Sequence, residues 1–268
     1  MPTFETSDGV RIHYTDAGQG RPAMLFVHGW SSNLRHWDAQ ARHFARSHRV
    51  IRVDLRGHGR TSAPDVPPSG YSTKRNAEDV ATLLKRLRLR GIVAVGHSSG
   101  AWVAMELASR HPELVRAVVV VDSGFDPAVP AAEVEQHPLL RRFHSGRPVP
   151  ELLRRAYRGM FRDFSDPALR ERVADVAAQT SPIGAVRTIR ANIRTNRIAI
   201  AKRVKQPVLC VSASDTPRSA EGVRALVPHA QFAQVVGAGH FLQLEVPEQL
   251  NPMIDRFIEL LPARRARA

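Results

Sequence analysis

Short, β-branched apolar runs recur along the chain, each followed by a stretch with helical periodicity, and this alternation narrows the possible folds more than any other feature. The runs are Met24 to Val27, Val50 to Val53, Ile92 to Val95, Val118 to Val121, Val208 to Val211 and Phe232 to Val236. Strands apolar on both faces belong to a parallel sheet covered by helices on each side. Helices are expected over Trp37 to Arg46, Ser72 to Leu87, Ser99 to Arg110, Ser219 to Leu226 and Pro247 to Leu260. Two further strands, Thr3 to Thr6 and Arg11 to Asp16, are expected as a hairpin turned at Asp8-Gly9. The alternation stops between Phe125 and Lys205, where helical periodicity continues without a strand, over Glu151 to Arg162, Pro167 to Gln179 and Ile183 to Ile200. A structureless loop of that length is uncommon in a compact domain, so the segment reads as a helical cap. The expected division is a core of residues 1–124 and 206–268 with a cap of 125–205 inserted between two of its strands.

A chain of 268 residues suits one large α/β domain. Its N-terminus lacks the charged and apolar regions of a secretory signal, and no run reaches the roughly 18 apolar residues of a membrane span. One cysteine, Cys210, leaves no intrachain disulfide. These features give the expectation of a cytoplasmic protein without a membrane partner, monomeric or homodimeric. The net charge of +14 comes from 35 arginines and 4 lysines against 25 acids. Such a balance can signal nucleic-acid binding, but the basic residues are dispersed and no nucleic-acid motif is present. The one tight cluster is the terminal Ala-Arg-Arg-Ala-Arg-Ala. A small-molecule substrate is expected instead.

The chemistry concentrates in loops after the strands. Gly96-His97-Ser98-Ser99-Gly100 follows a strand and precedes an amphipathic stretch, the setting in which G-x-S-x-G presents a nucleophilic serine on a strained turn. The glycines let strand and helix approach, and the helix aims its first amides at Ser98. His28-Gly29-Trp30 follows the strand from Met24. Its loop can fold across the serine, so that the amides of Trp30 and Ser99 form a pair of donors for an oxyanion. Asp54-Leu55-Arg56-Gly57-His58-Gly59 reads as a scaffolding turn. Among twelve histidines, His240 in Gly-Ala-Gly-His-Phe lies just past the last strand, where side chains converge on the site of an open α/β sheet. It is the expected base. The carboxylate that fixes its tautomer is expected to be Asp215, after the strand from Val208, with Asp122 at the end of the strand from Val118 as the alternative. Glu245 is expected at the surface or at the entry to a helix. Trp102 and His28 are placed as candidate substrate-binding residues, His28 also reading as a structural bond to its loop. No histidine pair has zinc-site spacing, and neither metal nor cofactor is expected.

HGW, DLRGHGRTSAP, GHSSG, SASD and GAGHFLQLEVPE stand in the order and at about the spacing found in the α/β-hydrolase superfamily. The chain resembles its compact group of bacterial esterases, cofactor-free haloperoxidases and carbon-carbon bond hydrolases. The resemblance implies an eight-stranded, mostly parallel sheet with a lid inserted after the sixth strand. It also implies a Ser98, His240, Asp215 triad with Trp30 and Ser99 as oxyanion donors. The run HSSGAWV, with Ala101 and Trp102 where many members carry a further glycine, is similar to that of cofactor-free dioxygenases acting on hydroxyquinolones, whose acid follows the sixth strand, where Asp122 stands. Hydrolysis of an ester or lactone is the expected activity. Oxygenation or carbon-carbon cleavage on the same triad is the alternative, and a binding protein without turnover fits less well. In the cap, Arg187, Arg190, Arg194 and Arg197 fall at spacings of three and four on one expected helix. They form either a solvated stripe or a reader of anionic substrates.

Overall fold

The computed structural model describes residues 2–213 and 220–262. Its strands are β1 (Thr3–Glu5), β2 (Arg11–Ala17), β3 (Met24–Val27), β4 (Val50–Val53), β5 (Ile92–His97), β6 (Val115–Val121), β7 (Val208–Ser212) and β8 (Ala230–Gln234). They form one sheet in the order β1-β2-β4-β3-β5-β6-β7-β8. The pairs β1/β2 and β2/β4 are antiparallel, and every pair from β4 through β8 is parallel. β8 begins two residues before its apolar run, because Val235 and Val236 already belong to the loop that leads to His240.

The helices of the core are α1 (Asp38–Phe44), α2 (Thr73–Arg86) and α3 (Ser99–Arg110). Between β6 and β7 lie α4 (Pro138–Phe143), α5 (Val149–Arg158), α6 (Pro167–Ala178), α7 (Pro182–Ile193) and α8 (Arg197–Arg203). After β7 come α9 (Ala220–Leu226), α10 (Leu242–Glu245) and α11 (Pro247–Glu259). Strand side chains alternate between faces, and the core divides accordingly. Leu25 and Val27 join α2 and α3 in one layer, while Met24 and Phe26 join α1 and α11 in the other. A third cluster holds Leu140, Leu153, Tyr157, Val173, Ala185 and Ile189, together with Trp30 and Phe241 from loops of the core. Helices α4 to α7 therefore pack over the ends of the parallel strands that carry Ser98. Among the described residues no helix is long and apolar enough to cross a membrane.

The helix expected over Ile183 to Ile200 is broken. Asn196 accepts from Ala199 N at 2.9 Å and so starts α8 as a separate helix. Ile189 and Ile193 then stay in the cap cluster, whereas Ile200 and Ala201 pack with α3 in the core. The break also dissolves the arginine stripe. Arg187 pairs with Asp65 at 2.6 Å, Arg190 with Glu135 at 2.7 Å and Arg197 with Asp126 at 2.7 Å. These three guanidiniums are engaged by the protein's own carboxylates, while Arg194 lines a separate cleft with Thr73, Thr195 and Arg203.

Candidate active site

Ser98 sits at φ 52°, ψ −123°, a left-handed backbone that L-residues other than glycine, Asn and Asp seldom adopt. The surrounding packing imposes it. A Cβ on Gly96 would lie 2.4 Å from the Gly100 carbonyl oxygen, and one on Gly100 would lie 2.3 Å from that of His28. Strand, turn and helix are thus closer than any side chain permits, and Ser98 N is held by Val121 O at 2.9 Å. Gly29 crosses the serine directly, since a Cβ there would meet Ser98 Cβ at 3.2 Å. The Ser99 amide opens α3, where helix geometry provides no intrahelical acceptor. Trp30 follows Gly29 on the crossing loop. Its indole is 8% exposed and Nε1 donates to Ala185 O in α7 at 2.8 Å, tying the loop to the cap.

His240 Nδ1 lies 2.6 Å from Asp122 Oδ2. Asp122 extends from the C-terminal end of β6, beside β5, with φ 42°. It is buried, and its Oδ1 accepts from Ala213 N at 3.0 Å. The carboxylate that meets the histidine is therefore the alternative expected from the sequence. Asp215, expected first, lies outside the described residues. With Nδ1 as donor to Asp122, the ring keeps Nε2 as its acceptor.

Two positioning residues were not anticipated. His97 donates from Nε2 to His240 O at 2.8 Å, and the two rings are 4.6 Å apart. Glu245, expected at the surface or at a helix entry, ends α10 just ahead of α11 and accepts from Gly239 N at 3.1 Å and Phe241 N at 3.3 Å through Oε1. Its Oε2 accepts from Ser165 Oγ at 2.6 Å. The signal for both is proximity in sequence, one residue before Ser98 and five after His240, but neither burial nor partner is written there.

The two candidate substrate-binding residues are buried. His28 donates from Nδ1 to Gly29 O at 2.7 Å, and Nε2 accepts from Leu55 N at 3.0 Å. Both nitrogens are used, so the ring braces the β3 and β4 loops against each other. Trp102 is 2% exposed and packs edge-on against Phe125, with ring centres 5.0 Å apart. Beside His240 lies a buried aromatic cluster, with Phe241 stacked on Phe161 at 5.0 Å and Tyr157 5.6 Å from Phe241. Burial raises the Tyr157 hydroxyl, which faces Ser32 and Ser31 and stays protonated. Asp54 accepts from Leu34 N at 2.8 Å and Arg60 N at 3.0 Å and meets His13 at 2.7 Å, as a scaffold residue would.

Burial lowers the imidazoles of His36 and His58 to about 3. Burial pushes His28 and His97 in the same direction. The unfolded chain, with histidines near 6.5, binds more protons than the native state below that value, so stability falls as pH drops from about 6.5 toward 3. At about 1.4 kcal/mol per pH unit per histidine, His36 and His58 together remove about 5 kcal/mol by pH 4.5. Urea unfolding between pH 7.5 and 4.5 should show that loss, and a flat profile above pH 4.5 would contradict the buried neutral histidines.

Residues 24–252 match the model of an alpha/beta hydrolase family. The chain belongs to the α/β-hydrolase family. This hydrolase is 31% identical to a non-heme chloroperoxidase of Streptomyces lividans over 97% of its own length and 100% of the relative's. It is 28% identical to a 2-(acetamidomethylene)succinate hydrolase of Mesorhizobium japonicum, covering 93% of this chain and 92% of the other. Among solved structures it superposes on the enol-lactonase from Burkholderia xenovorans with a TM-score of 0.84 at 20% identity, over 96% of this chain and all of the other. On Est816, an N-acyl homoserine lactone degrading enzyme, it scores 0.77 at 27% identity, over 96% and 100% of the two chains. The α/β-hydrolase thus has esterases, lactonases, haloperoxidases and other hydrolases as its relatives and structural neighbours.

Proposed function

We propose that this α/β-hydrolase cleaves a carboxylic ester or lactone of a small molecule. The observation that carries the reading is the 2.6 Å contact between His240 Nδ1 and Asp122, which fixes the imidazole in the tautomer a serine nucleophile needs. Ser98 Oγ attacks the carbonyl carbon while His240 Nε2 takes its proton. The Trp30 and Ser99 amides hold the negative oxygen that forms. His240 then returns the proton to the leaving alcohol, or to the ring oxygen of a lactone, and an acyl-enzyme remains. Water, deprotonated by His240, attacks the acyl carbon and releases the acid and Ser98.

A second reading is oxygenation of a hydroxylated heteroaromatic ring, with His240 as base toward a ring hydroxyl. The position of Asp122 after β6 favours it, since that is the arrangement implied by the resemblance of HSSGAWV to the hydroxyquinolone dioxygenases. One panel separates the two. Purified protein is given p-nitrophenyl esters of rising chain length, lactones and a hydroxyquinolone under oxygen, with acid release and oxygen consumption followed in parallel. Ester or lactone turnover without oxygen uptake is the expected result, and oxygen uptake with inert esters would replace the first reading by the second.

A further inference from the structure

At the end of the sheet opposite Ser98, the loops before β3, β4 and β5 and the start of β6 enclose a cleft of about 770 Å³. Arg21, Arg49, Arg88, Arg90 and Arg116 line it, and no aspartate or glutamate does. Asp16 engages Arg49 through two bonds of 3.0 and 2.7 Å. Arg116 donates to Pro262 O at 2.7 Å. Arg21, Arg88 and Arg90 have no ion pair or hydrogen bond to a carboxylate among the described residues.

Arg88 occupies a costly position. It stands at φ 54° just past α2, where Leu89 N closes back on Leu84 O at 2.9 Å, the helix ending at which glycine is normally found. Lys85 and Arg86 already fill the last turn of α2 and answer its dipole. The helix itself gives no reason for a guanidinium here. Guanidinium forks match phosphate oxygens two at a time, and the cleft has the volume of a small-molecule site. Its apolar lining is Pro22, Ala23, Leu87 and Leu89, with no aromatic ring on which a nucleobase could stack.

We propose that this cleft binds a chain of condensed phosphate groups, free or as the tail of a nucleotide, through Arg21, Arg88, Arg90 and Arg116. The six residues of β5 separate it from Ser98, roughly 20 Å at strand rise, so the site is independent of the hydrolytic one.

Calorimetric titration of the full chain with sodium tripolyphosphate, metal-free ATP and orthophosphate tests this. One tripolyphosphate per chain is expected, at least about tenfold tighter than orthophosphate. ATP binding equally well would admit nucleotides as a source, and ATP failing to bind would leave free polyphosphate alone; either supports the cleft. Arg88→Gly and Arg90→Gln should each weaken tripolyphosphate by about tenfold. Arg88→Gly should also raise the melting temperature of the free protein, because glycine accepts φ 54° without strain, so weaker binding cannot be ascribed to misfolding. Several weakly held phosphates per chain, binding unaffected by both variants, or ATP binding more than about tenfold tighter than tripolyphosphate would overturn the proposal.

Discussion

Ser98→Ala is expected to lower kcat for the best ester of the panel by about 10⁶-fold. In the proposed mechanism the hydroxyl is the group that forms the acyl bond. Ser99, the next residue, opens α3 with its amide and lies on the other side of the strained turn. Residual rates near 10³-fold over water are still expected, because substrate binding and the two amides survive the substitution. Alanine at φ 52° is no more strained than serine, so the melting temperature should hold, and a fluorophosphonate should label wild type but not the variant. A variant retaining more than about a tenth of wild-type turnover, against the loss expected of a nucleophile, would remove Ser98 from the reaction. Loss of esterase activity with oxygenation intact would leave His240 and Asp122 as a base without a nucleophile.

Asp122→Asn should lower kcat by about 10⁴-fold while changing KM little. Asparagine keeps the size of the side chain, tolerates φ 42°, and can still accept from Ala213 N through its amide oxygen. What it presents to His240 Nδ1 is then an NH₂ donor. The imidazole must turn to its other tautomer, with the proton on Nε2, and can no longer take the Ser98 proton. Asp215→Asn is the comparison, and it should stay near wild type. If Asp215→Asn proves the more damaging substitution, Asp122 is a structural acid and the orienting role belongs elsewhere.

Much of this architecture can be read from the sequence because buried parallel strands have a simple composition. The runs MLFV, VIRV, IVAV and VLCV all became strands, and the turn at Ser98 was legible because its glycines answer a steric demand visible in a short motif. The choice between Asp122 and Asp215 was not. Both follow strands of the parallel sheet in sequence, and no short motif tells that the carboxylate of Asp122, carried on a left-handed backbone, lies against His240. The break at Asn196 was hidden for another reason: apolar spacing continues across it from Ile193 to Ile200, although the two isoleucines serve different clusters. The roles of Glu245 and His97 were hidden because their partners are backbone groups and, for Glu245, a serine 80 residues away, which sequence patterns do not display.

The contacts of the His240 loop bear on how proteins of this kind can be recombined. His240 N donates to Met160 O at 3.3 Å, Glu245 joins that loop to Ser165, and Trp30 is anchored on Ala185. Met160, Ser165 and Ala185 all belong to the segment between β6 and β7, so His240 and Trp30 take part of their alignment from it. That segment is no interchangeable specificity module. A chimera that imports the corresponding helices from a relative inherits a different set of anchors, and it must carry matched partners for Trp30, His240 and Glu245 before any change in substrate preference can be read from it.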